Sequence, residues 1–156
     1  MASFAYNEAA KKIADGTLDL LVDTIKVMIV NSTYTPNRDD HFVCSGSGSS
    51  DAGDAEITAT NYTRGYAQSG RKTLASKAIT TDDTNDRAEF DAADVTWTNL
   101  GNGSNDTLVG LVLIKEITDD AASIVIAYID VADTTTDGQN FVQAWDAQGI
   151  IQWGTT

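Results

Sequence analysis

The chain has 156 residues, a formal net charge of −13 at pH 7 and one cysteine. That length predicts a single domain over residues 1–156, and a chain of this size buries about 68–70% of its unfolded surface without a disulfide staple. The negative charge argues against nucleic acid, where affinity comes from Lys and Arg neutralising phosphates, and against an anionic membrane surface. It favours solubility at high concentration.

Cys44 has no partner in the chain, which fits synthesis in a reducing cytoplasm. Residues Met1–Glu8 carry neither a basic region nor an apolar core, so no signal peptide is expected. No apolar run approaches the ~20 residues of a transmembrane helix.

In chain order, residues 7–15 predict the one convincing helix. Asn7 is placed to cap it, Glu8 lies at its positive end, Ala9, Ala10 and Ile13 form a small apolar face, and Gly16 ends it. Thr17–Leu21 and Ile25–Val30 read as two strands joined by a break at Asp23-Thr24. Residues 31–60 read as a long, flexible surface loop. It contains turn chemistry at Thr35–Asp40 and a Ser/Gly tract at 45–50, so residues 45–53 are expected to be dispensable for folding. A loop this long is also a candidate partner contact.

Tyr62–Tyr66 and Thr73–Ile79 read as strands, Asp82–Asp86 as a tight polar turn, and Ala88–Phe90 and Val95–Thr98 as further strands, with Val95 and Trp97 facing one way. Gly101–Asp106 is a loop. Turns at Thr134–Gly138 and Asp146–Gly149 flank the strands Phe141–Trp145 and Ile150–Trp153. Eight to ten short strands with regular turns predict an all-β fold, a β-sandwich or jelly-roll-like barrel with one short N-terminal helix.

The strongest signal is a β-hairpin over residues 107–131, two β-branched runs around Thr118–Ala122. Ile124, Ile126 and Tyr128 lie on one face of its second strand, and Val125, Ala127, Ile129 and Val131 on the other. Both sets are apolar, whereas a strand with one wet face alternates. The first run is broken only by Gly110. Either the pair is covered on both faces within the chain, or a partner covers one face.

No catalytic, cofactor-binding or metal-ligating constellation is present. Asp82, Asp83, Asn85 and Asp86, and more weakly Asp51 and Asp54, invite a calcium site, but neither set has EF-hand spacing. They read as solvated turns. His41 beside Asp39 and Asp40 reads as a plain loop histidine, and Cys44 as a buried or incidental thiol. There is no Gly-x-Ser-x-Gly elbow and no phosphate loop. Trp97, Trp145 and Trp153 read as core residues, with a sugar-stacking platform as the alternative.

Several stretches carry a resemblance. They are Phe4-Ala5-Tyr6-Asn7 with Lys11-Lys12, Asp15–Leu20, Asp23–Val30, Tyr34–Asn37 with Asp39-Asp40-His41, Asn61–Gly65, Phe90–Trp97, Gly110–Lys115 and Trp145–Ile151. In order and spacing, almost end to end, they resemble a family of small virion structural proteins of tailed bacteriophages. The Ser/Gly tract at 45–50 departs from the family pattern in length.

The resemblance implies capsid decoration or cementing on a β-sandwich or jelly-roll-like fold, with no catalytic residues. It implies the major capsid protein as partner, and the capsid surface of the virion as location after synthesis in the host cytoplasm. Shell symmetry favours a homo-oligomer, with a homotrimer as the expectation. The alternatives are a head–tail connector or tail component, and a glycan-binding host-attachment module.

Overall fold

A computed structural model describes residues 3–47 and 50–154. The fold is all-β with one short helix. The elements are β1 (Phe4–Ala5), α1 (Asn7–Ala14), β2 (Ile25–Asn31), β3 (Lys72–Thr73), β4 (Ala78–Asp82), β5 (Arg87–Asp91), β6 (Val95–Trp97), β7 (Thr107–Lys115), β8 (Ile124–Thr135), β9 (Phe141–Gln143) and β10 (Ile151–Gly154). All pairings between them are antiparallel. The main sheet has the order β1-β8-β7-β2-β3, a smaller one β10-β5-β4, and a two-stranded one β6-β9.

The predicted hairpin is β7–β8, at the centre of the main sheet. Met28, Val112 and Tyr128 lie in register across three strands, as do Val27, Leu113 and Ala127 on the opposite face. All six are buried. At this register both apolar faces of the hairpin are therefore covered within the chain, while Ile129 and Val131 further along β8 are partly buried.

Part of the cover comes from residues 31–60. Tyr34 packs its ring 5.9 Å from that of Tyr128, and His41, Cys44, Asp51, Ala52, Ala55, Glu56 and Ile57 are buried as well. This segment thus departs from the expected surface loop. It lacks a regular strand because its backbone bonds are scattered: Ile57 N–H donates to Ile29, Asn31 N–H to Ala55, and Cys44 N–H to Ser123. Gly53 packs so closely that a Cβ there would stand 2.8 Å from the Cys44 carbonyl oxygen. Gly48 and Ser49 of the Ser/Gly tract lie outside the described residues. Phe90, Trp97, Leu100 and Ile151, from the smaller sheets and their connections, join the same core.

Local differences from expectation have local causes. Asn7 is not the helix cap; Tyr6 occupies that place, and the Asn7 amide donates to Asp39 Oδ1 at 2.5 Å instead. Thr17–Leu21 is not a strand. Asp19 Oδ1 accepts the N–H groups of Leu21 and Val22 at 2.9 and 3.0 Å, and this side-chain bond holds the segment in a turn. Tyr62–Tyr66 is not a strand either, because the Tyr62 hydroxyl and the Gly65 N–H are both drawn to Glu56.

Candidate functional site

Five of the seven large apolar side chains that stand well exposed among the described residues are anchored at one end of the main sheet. They are Leu21, Val22, Phe42, Tyr66 and Ile117; the other two are Ile79 and Val142. The pairing explains the grouping. Ile25 begins β2 opposite Lys115, which ends β7 opposite Ile124, which begins β8. Leu21 and Val22 precede β2, and Ile117 follows β7. Tyr66 donates its hydroxyl to the Ile117 carbonyl at 3.0 Å, and Phe42 accepts the Val125 N–H. Val22 is 80% exposed.

The carboxylates of this end are tied down. Asp23 pairs with Lys115 at 2.6 Å, Glu116 with Lys26 at 2.5 Å, and Asp120 with Arg71 at 2.5 Å. Asp119 Oδ1 accepts the Ala122 N–H at 2.8 Å. Burial pushes Asp23 up, but its bond to Lys115 and the Asp19 N–H outweigh this and hold it below the usual carboxylate range. In a chain of net charge −13, this end presents apolar side chains beside carboxylates that are already ion-paired or hydrogen-bonded, which lowers the cost of desolvating it.

A buried charge network beneath this end fixes its shape. Arg71 and Glu56 are both fully buried, with Nη2 2.8 Å from Oε2. Arg71 also reaches Glu116 at 3.2 Å. Glu56 accepts the Tyr62 hydroxyl at 2.7 Å and the Gly65 N–H at 2.9 Å, while Glu116 accepts the Ala67 N–H at 3.2 Å. Burial alone would lower the Arg71 pKa, but Glu56 and Asp120 more than compensate and raise it. The network clamps the 56–71 connection to the β7–β8 connection, which places Tyr66 beside Ile117. Sequence reasoning missed it, since its members lie far apart in the chain and no spacing links Glu56, Arg71, Glu116 and Asp120.

The other candidates are spread through the fold. Asp82 Oδ1 accepts the N–H groups of Thr84 and Asn85, and its carboxylate pairs with Arg87 at 3.1 Å. Asp51 is buried and accepts the Gly46 N–H at 2.5 Å and the Ser47 hydroxyl at 2.8 Å. No group of three or more His, Cys, Asp or Glu among the described residues is arranged to hold a metal ion. His41 is buried against Tyr34, whose hydroxyl lies 3.0 Å from Nδ1. Burial pushes the Cys44 thiol up, which disfavours the reactive thiolate.

The three tryptophans part company. Trp97 is buried and donates Nε1 to the Gly70 carbonyl at 2.6 Å. Trp145 and Trp153 are partly buried and line a groove of about 830 Å3. This groove runs between β1, at the edge of the main sheet, and β10, at the edge of the three-stranded sheet.

Comparison with protein-family models, with curated proteins and with solved structures gives no match.

Proposed function

We propose that this protein is a structural subunit of a tailed-bacteriophage virion, a decoration or cement protein that binds the outside of the major capsid shell and stabilises it. The observation that carries the reading is the apolar end of the main sheet, where Leu21, Val22, Phe42, Tyr66 and Ile117 are exposed around carboxylates that already have partners. Clustered apolar side chains on an otherwise acidic molecule mark a docking surface. The resemblance of its sequence stretches, in order and spacing, to small phage virion proteins supports the major capsid protein as the partner class.

In this reading the subunit is made in the host cytoplasm, kept from clumping by its net charge, and docks on the assembled shell. Shell symmetry favours a homotrimer at three-fold positions, where three modest contacts act together. Electron microscopy of the virion with this protein labelled tests the position. Many copies over the shell agree with decoration; a few copies at one vertex mean a head–tail connector or tail part instead.

A further inference from the structure

The groove between β1 and β10 shares no lining residue with the apolar end and differs from it in chemistry. Trp145 is fixed in its wall: Nε1 donates to the Ala93 carbonyl at 3.0 Å and its backbone N–H to Asp94 Oδ1 at 3.1 Å. Its N–H is thereby committed, and the indole, partly buried against the core, meets the groove with the rest of its ring. Trp153 lines the same groove. The Arg38 guanidinium lies 5.0 Å from the centroid of the Phe4 ring and adds a flat polar wall. Gln143 and Gln148 supply amide groups; Gln143 Nε2 is held by the Ala144 carbonyl at 2.8 Å, which orients its amide.

We infer that this groove binds a neutral oligosaccharide. Flat aromatic surface stacks on the C–H faces of a pyranose ring, and carboxamides carry a donor and an acceptor side by side, the pairing that adjacent sugar hydroxyls need. A lipid would need an enclosed apolar cavity, and amides line this open groove. An anionic polymer would meet a chain of net charge −13 and a groove whose one guanidinium is accompanied by Asp130 and Asp146. The volume lies within the range of small-ligand sites.

The test titrates maltohexaose, laminarihexaose and a mannohexaose into the purified protein, read by saturation-transfer NMR and tryptophan fluorescence. Trp153→Ala, Gln148→Ala and Trp97→Phe are run beside the wild type, with thermal melts to confirm folding. At least one sugar binds saturably in the micromolar-to-millimolar range. Gln148→Ala weakens that binding about tenfold, equivalent to about 1.4 kcal/mol. Trp153→Ala abolishes it, and Trp97→Phe leaves it unchanged. No saturable binding of any of the three sugars at millimolar concentration overturns the inference. So does binding that survives unaltered in folded Gln148→Ala and Trp153→Ala. Capsid docking uses the other surface and stands or falls separately.

Discussion

Arg71 Nη2 lies 2.8 Å from Glu56 Oε2, and neither side chain reaches solvent. Removing one partner leaves the other as an uncompensated buried charge, which costs about 3–5 kcal/mol. Arg71→Met is therefore expected to lower stability by that amount in urea unfolding. Arg71→Met combined with Glu56→Gln recovers part of the loss, because the fully buried carboxylate is gone; Glu116 keeps Lys26, and only the partly exposed Asp120 loses its cation. A double-mutant cycle reads the coupling directly.

The β7–β8 hairpin carries the core. Val112 and Ile126 are fully buried in the main sheet, so Val112→Asp or Ile126→Asp places an unpaired carboxylate where no water can reach it. Both variants are expected to fail to fold, seen as loss of soluble protein and of the β circular-dichroism signal. A thermal midpoint equal to wild type for both would remove the hairpin from its central place.

Asp51 organises the segment that sequence reading treats as dispensable. Its buried carboxylate accepts from Gly46 and Ser47, and Asp51→Ala removes both bonds, at about 0.5–1.5 kcal/mol net for each, or about 1–3 kcal/mol together. For a chain of this length that is about 2–4 °C in melting temperature per kcal/mol. An unchanged melt would mean that residues 45–53 do not contribute to folding.

Asp106 gives a defined acid dependence. Burial pushes its carboxyl up, but the Thr58 N–H, the Asn31 amide and the Thr107 N–H outweigh this and hold it below the ordinary value. A group depressed in the folded state adds stability that is fully present above its unfolded value of about 3.9 and is lost as pH falls through the folded value. Between about pH 6 and about pH 3, wild type should lose more stability than Asp106→Asn. Equal losses in urea titrations at the two pH values would contradict the assignment.

The strands of the core were readable because their apolar runs are long and β-branched. Even the one interruption has a cause: a Cβ at Gly110 would stand 2.4 Å from the Tyr128 ring, so the glycine makes room for the tyrosine across the pair. The two apolar faces were readable too, but not what covers them. The cover comes from Tyr34, Ala52, Ala55 and Ile57, scattered among polar residues with no period to detect. The turn at Asp19 and the Glu56–Arg71 network were hidden for a related reason. Each depends on where one polar side chain finds its partner, which hydrophobic patterning does not encode. The apolar end could be assembled only once the pairing of Ile25, Lys115 and Ile124 brought three chain segments together.

The central claim is that the end bearing Leu21, Val22 and Ile117 docks on a phage shell, and rebinding to particles stripped of this protein tests it most directly. Wild-type protein should rebind and raise the temperature at which the particles rupture. The triple variant Leu21→Asp, Val22→Asp, Ile117→Asp changes exposed positions only, so it should remain folded yet neither rebind nor protect. Wild-type protein that leaves the rupture temperature unchanged and does not bind, or a triple variant that binds and protects as wild type does, would contradict the account.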